Sequence, residues 1–169
     1  MDTTEDRFLE LIRRNGPRLR RIARVYGRGP MDAEDLHQEI LTQLWRSFPS
    51  FRGDSTVDTW VYRVALNTSL AHRRRQQARP EEPMDPAQER YAAAGPGPEE
   101  RFEARRRLDR LYAAIDRLSE LDRALTLLYL DDFSYREMAE VLGLSEANVG
   151  VRLHRVRKRL KNELTGDDQ

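Results

Sequence analysis

Cysteine is absent from the 169 residues, so the chain can form neither a disulfide nor a thiolate metal site, and it cannot sense thiol oxidation by itself. Lysine is nearly absent: only Lys158 and Lys161 occur, both in the last basic segment, and the other cations are arginines. No apolar run approaches the roughly 20 residues needed to cross a bilayer. The start, MDTTEDRFLELIRR, lacks the basic opening, unbroken apolar stretch and small-residue cleavage site of an export signal. These absences predict a cytoplasmic protein with no direct membrane insertion. Strict apolar/polar alternation is missing as well, whereas apolar residues recur at spacings of three and four, which predicts an all-α fold.

What is present is a segregation of charge that the formal net charge of +1 conceals. Residues 31–40 carry four acids and no Lys or Arg; residues 63–79 carry five arginines and no acid; residues 145–161 carry six Lys or Arg against the single Glu146. A polyanion feels such local charge at close range, whatever the net value. Between the two basic blocks, residues 80–100 hold five of the eight prolines and six acids, a composition that cannot build a core. The chain therefore divides into two small helical domains, residues 1–79 and 108–169, joined by a flexible Pro- and acid-rich linker over 80–107. Each domain is close to the smallest size that one core stabilises.

In the first domain Phe8, Leu11, Ile12, Leu19, Ile22 and Ala23 form a helical stripe, with a kink or break predicted at Gly16-Pro17. Asp32 is the expected cap of a second helix that buries Leu36, Ile40, Leu44 and either Trp45 or Leu41, and that Pro49 limits. A third helix from about Val57 directs Trp60, Val61, Val64, Ala65 and Thr68 inward and ends in the arginine run 73–75. In the second domain Leu108, Leu111, Ile115 and Leu118, then Leu121, Leu125 and Leu128, predict two packed helices.

The stretch after them is the most specific. Ser134 and Glu137 form a capping box, Gly143 suits a left-handed helix end, and Ser145 can cap a second helix, giving helix, tight turn, helix. Along the last helix Val149, Leu153, Val156, Leu160 and Leu164 share one stripe, while at 100° per residue Asn148, Val151, Arg152, Arg155 and Arg159 project elsewhere. A helix packed from behind and basic in front suits a DNA major groove. Glu146, Asn148, Val151, Arg152 and Arg155 are then the candidate base readers, with Arg157, Lys158, Arg159 and Lys161 facing phosphates. The alternative is an ordinary C-terminal helix whose solvated cations favour the negative end of its dipole.

FSYREMAEVLGLSEANVGVRLHRVRKRL resembles the helix-turn-helix of the fourth domain of bacterial sigma factors of the extracytoplasmic-function (ECF, group IV) type. DAEDLHQEILTQLWRSFPSFRG (32–53) is similar to the core-polymerase-binding segment of the second sigma domain, and TWVYRVALNTSLAHRRR (59–75) to its promoter-melting segment. The resemblance implies a sigma factor that directs core RNA polymerase to promoter DNA and initiates transcription. Residues 1–79 would bind polymerase and open the minus-10 element, and residues 108–169 would read the minus-35 element. It also implies an anti-sigma factor as a partner.

By the same resemblance Asp35, Gln38 and Glu39 would sit on core polymerase, and Arg52 in the FRGDST loop, Asn67 and His72 near the minus-10 element. Strand opening calls for cations and aromatic faces. Arg63 and the run Arg73, Arg74 and Arg75 supply the first, and Tyr62 and Trp60 are candidates for the second, although Trp60 reads better as core. Gly150, Val151, Leu66 and Ala71 depart from residues frequent in the family.

An enzyme is not expected. His37, His72 and His154 are scattered, and no metal-ligand spacing, phosphate loop or nucleophile motif occurs, so neither cofactor nor metal is called for. Asp131-Asp132 reads as a turn. The remaining alternative is a conventional dimeric helix-turn-helix regulator with residues 1–79 as a sensor or dimerisation domain.

Overall fold

The computed structural model describes residues 3–79 and 99–166, and among them all regular structure is helical. They belong to two compact units, one N-terminal and one C-terminal. No helix among the described residues is long and apolar enough to cross a membrane.

In the N-terminal unit α1 (Thr4–Tyr26), α2 (Pro30–Ser47) and α3 (Val57–Ala78) pack pairwise into a three-helix bundle. A capping box starts α1: the Asp6 N–H donates to the Thr3 hydroxyl at 3.1 Å and the Thr3 N–H to the Asp6 carboxylate at 3.0 Å. Of the kink or break expected at Gly16-Pro17, the break does not occur, because α1 runs through it as one helix. Proline removes one helical hydrogen bond and crowds the preceding turn, at a cost of about 3 kcal/mol. Packing offsets that here, since Leu11, Asn15 and Gly16 before the proline and Leu19, Ile22 and Ala23 after it are all buried.

Asp32 lies in the first turn of α2, not at its cap, which is Gly29. It still satisfies a donor at the helix entrance by accepting the Arg28 N–H at 2.7 Å. Leu36, Ile40 and Leu44 form the fully buried face of α2. Of the two further candidates, Leu41 is half-buried and Trp45 is 46% exposed, its ring set edge-on to Phe8. Past Ser47 the chain makes a single 3-10 turn, Phe48–Ser50, around Pro49. Thr56 then caps α3, accepting the Thr59 N–H at 3.1 Å.

The C-terminal unit comprises α4 (Glu99–Asp116), α5 (Glu120–Leu130), α6 (Tyr135–Leu142) and α7 (Glu146–Gly166). Helix α4 begins inside the span that composition gives to the linker, and its side chains from Phe102 to Asp109 are exposed. Leu108, expected in the packed stripe, is among them; full burial on α4 begins at Ala114 and Ile115. Helix α5 is the most enclosed, with every residue from Arg123 to Leu128 buried. Its apolar members pack with Met138 of α6 and Val149 and Leu153 of α7 as the core.

Candidate nucleic-acid interface

Three local devices set the angle between α6 and α7. The Ser134 hydroxyl accepts the Glu137 N–H at 3.3 Å, and the Glu137 carboxylate accepts the Ser134 N–H at 2.8 Å. Gly143 takes φ 66°, a left-handed conformation that costs glycine little, and the Leu144 N–H returns to the Ala139 carbonyl at 3.0 Å. Ser145 then accepts the Asn148 N–H at 3.2 Å. The result is the helix, tight turn and helix that the sequence predicts.

Val149, Leu153, Val156 and Leu160 form the buried face of α7; Leu164, expected to extend it, is half-buried. Asn148, Val151, Arg155 and Lys158 are exposed away from that face, with Val151 at 51%, and Glu146 is exposed in the first turn. Arg152 and Arg159 flank the buried stripe, and each is tied to a carboxylate. Arg152 Nε donates to Asp122 Oδ1 at 3.1 Å, and Arg159 Nε to Glu163 Oε1 at 3.0 Å. Arg117 reaches the same Glu163 at 3.1 Å, and the hydrogen bonds from Arg159 and then Arg117 hold the Glu163 carboxyl below the ordinary glutamate range.

On the other flank the Arg157 guanidinium lies 5.3 Å from the centre of the Tyr129 ring. With His154 and Lys161 it borders a groove of about 470 Å³ floored by Leu111, Leu153 and Val156. The helix dipole does not account for these cations: α7 runs on to Gly166 with no basic residue in its last turn, where the dipole effect is concentrated.

In the N-terminal unit, Arg63, Asn67 and Arg74 fall within about 40° of one another on α3 at 100° per residue. Asn67 and Arg74 are exposed and Arg63 is half-buried; Arg52 is exposed in the loop before α3. Tyr62 and His72 require correction, because both lie on the inward side of the same helix. Tyr62 is 1% exposed, and burial pushes its hydroxyl pKa far upward, with Tyr26 adding to the effect. A ring without a free face cannot stack on a base.

His72 is 8% exposed and bridges α3 to α2, its Nε2 lying 2.8 Å from Asp32 Oδ1 and its Nδ1 3.0 Å from Glu39 Oε2. Gln76 Nε2 donates to the same Asp32 oxygen at 2.8 Å. Trp60 is half-buried against Phe48 and Phe51, in keeping with the core reading.

On α2, Asp35 and Gln38 are exposed, with Gln38 Nε2 donating to Glu34 at 3.2 Å. Glu39 is partly exposed at 38%, and its two oxygens meet His72 and Arg75 of α3.

Several residues that shape these surfaces escape a sequence reading. Asp58 accepts from Arg14 Nη2 at 2.9 Å and Asn15 Nδ2 at 3.4 Å and pairs with Arg18 at 3.2 Å, pinning α1 to the start of α3. Asp122 and Asp58 both read as acids in a capped first turn; their partners lie 30 or more residues away, beyond any local pattern. Among the described residues no group of three His, Asp or Glu could hold a metal ion.

Residues 11–79 match the Sigma-70 region 2 family and residues 108–160 the Sigma-70 region 4 family. The chain is 31% identical over 156 residues to the ECF RNA polymerase sigma factor SigM of Mycobacterium tuberculosis, an alignment covering 90% of this chain and 74% of SigM. It belongs to the extracytoplasmic-function sigma factors. The same identity holds to the ECF RNA polymerase sigma factor SigE of Mycolicibacterium smegmatis, where 92% of this chain spans 60% of the relative's length.

CnrH, solved in complex with the cytosolic domain of CnrY, shares the fold with a TM-score of 0.69 at 25% identity, over 95% of this chain and 88% of CnrH. Sigma factors of this group are promoter-recognition and initiation subunits of RNA polymerase. The region 2 match decides against a dimeric regulator whose first domain senses or dimerises.

Proposed function

We propose that the two units of this sigma factor divide the work of initiation. The N-terminal unit docks on core RNA polymerase through the exposed Asp35 and Gln38 of α2 and engages the minus-10 element with Arg52, Arg63, Asn67 and Arg74. The C-terminal unit places α7 in the major groove of the minus-35 element, where Glu146, Asn148, Val151, Arg152 and Arg155 face base edges. Lys158 and Arg159 then meet phosphates.

The observation that carries this reading is the exposed face of α7, held by packing from behind and by the capped turn in front. Acidic α2 and the basic face of α3 present different surfaces to polymerase and to DNA. The chemistry of RNA synthesis belongs to the polymerase, so the sigma factor acts in the cytoplasm where that enzyme works. An anti-sigma protein is a further partner, in line with the solved complex of the sigma factor RpoE with the anti-sigma factor NepR from Bartonella quintana. Linking two weak DNA contacts through one chain gives affinity only when polymerase sets their spacing.

Run-off transcription with core polymerase on a genomic fragment library tests the reading. New RNA starts preceded by two spaced elements are the expected result. Absence of new starts, with tight duplex binding by the free protein, would refute it.

A further inference from the structure

We propose that Asp122 is a specificity-determining positioning residue for minus-35 recognition: it holds the guanidinium of Arg152 in place before DNA arrives. The proposal rests on the placement of α7 in the major groove given above.

Arg152 stands in the second turn of α7, the part of a recognition helix that reaches base edges. Its Nε donates to Asp122 Oδ1 at 3.1 Å, leaving the two-pronged Nη edge, the one arginines use on base pairs, outside that bond. Both side chains are partly enclosed, at 37% and 24% exposure, so the pair is screened less than one in open solvent.

Asp122 is itself well anchored. Its N–H donates to the Ser119 hydroxyl at 3.2 Å, and its carbonyl accepts from Thr126 Oγ1 at 2.7 Å, at the head of the most enclosed helix of the unit.

The other cations of α7 are held differently. Arg155 and Lys158 are exposed, placed to follow phosphates. Arg159 is tied to Glu163 four residues along the same helix. Arg152 is the base-reading candidate anchored to a different helix. The carboxylate beside it also repels phosphate, so moving onto the DNA backbone would require Arg152 to leave its partner. Pre-ordering of the side chain and local repulsion of phosphate both favour base reading over charge neutralisation.

The test uses holoenzyme with core polymerase on a promoter pool randomised across the minus-35 element, scoring transcribed sequences. It compares the wild type, Arg152→Ala, Asp122→Ala, Asp122→Asn and the double variant Asp122→Ala/Arg152→Ala. Asn keeps the acceptor and removes the charge, whereas Ala removes both. Both lose the acid in the first turn of α5, so a difference between them isolates the bond to Arg152.

Arg152→Ala and Asp122→Ala are expected to flatten preference at the same one or two positions, by about tenfold. Asp122→Asn should hold preference within about threefold of wild type, and Asp122→Ala should add nothing in the Arg152→Ala background. A profile altered by Arg152→Ala but not by Asp122→Ala, or a uniform loss of transcription with unchanged preference, overturns the positioning role alone. A profile that Arg152→Ala leaves unchanged overturns the assignment of Arg152 itself, and the role of Asp122 with it.

Discussion

Arg123 Nη2 lies 3.2 Å from the carbonyl oxygen of Leu118, with its Nε 3.4 Å from that of Ile115, so the guanidinium of a residue only 3% exposed closes the C-terminal end of α4. The same Nη2 donates to the Asp116 carbonyl. The last carbonyls of a helix have no partner within it, and arginine's fixed fork supplies several donors at once. Arg123→Ala would remove the guanidinium donors to the Asp116 and Leu118 carbonyls and leave buried polar groups unsatisfied, a loss of about 3 kcal/mol. Both tryptophans, Trp45 and Trp60, are in the N-terminal unit. Urea unfolding should therefore show the far-ultraviolet dichroism transition moving to lower urea while the tryptophan fluorescence transition stays in place. Arg123→Lys, reaching fewer carbonyls, should recover less than half of the loss.

Gly150 gives the opposite sign. A Cβ at this position would meet the Tyr135 ring at 3.5 Å, ordinary van der Waals contact, so alanine fits without displacing α6. Glycine inside a helix is disfavoured relative to alanine by about 1 kcal/mol. Gly150→Ala should raise the stability of the C-terminal unit by about 0.5–1 kcal/mol, read as a later dichroism transition. An unchanged or earlier transition would show that the glycine is needed for contact between α6 and α7.

His37 links stability to pH. Among the described residues its buried Nε2 has no hydrogen-bond partner, and burial lowers its pKa below the ordinary value of about 6.5, with Glu34 opposing and Arg20 assisting. The unfolded chain therefore takes up a proton first as pH falls. The contribution of His37 to stability is complete above about pH 6.5 and shrinks as the pH drops toward its lower folded-state value. The urea midpoint by tryptophan fluorescence should fall between pH 7 and 5, and more steeply in wild type than in His37→Gln. Equal slopes would count against it.

Much of this molecule is legible in its sequence because the governing interactions are local. The Ser134 box, Gly143 and Ser145 define the turn between α6 and α7 within a dozen residues, and the stripe from Val149 to Leu160 comes from helical period alone. Where period and chemistry disagree, the reading fails. Tyr62 and His72 sit in an arginine-rich segment that invites a nucleic-acid role, yet they occupy the inward side of α3. Pro17 is a helix breaker by chemistry and is overruled by a core that forms on both sides of it. The ties from Asp58 to Arg14 and from Asp122 to Arg152 join residues 30 to 44 positions apart, which no local pattern encodes.

The cations of α7 should differ in how they respond to salt. A cation that neutralises one phosphate steepens the fall of affinity with salt by about one unit on logarithmic axes. Lys158→Ala and Arg155→Ala, which remove exposed cations, should weaken holoenzyme binding to duplex promoter. Lys158→Ala should lower the salt slope by about one. Arg157→Ala should change it less, because that guanidinium is engaged with the Tyr129 ring at the groove. Filter binding across a several-fold range of salt distinguishes them, and equal slopes for all three variants would contradict a front and a side to this helix.

The two halves of acidic α2 should separate polymerase binding from stability. Asp35 and Gln38 point to solvent, whereas Glu39 joins His72 and Arg75 across to α3. Asp35→Ala/Gln38→Ala should weaken association with core polymerase by about tenfold, a loss of about 1–2 kcal/mol, and leave the tryptophan unfolding transition where it is. Glu39→Ala should shift that transition to lower urea by removing the carboxylate that His72 and Arg75 share. Its effect on polymerase binding should then vanish at temperatures where the bundle remains fully folded. If Glu39→Ala weakened polymerase binding without any change in unfolding, Glu39 would belong to the polymerase surface after all, and its bonds to α3 would have to open on docking.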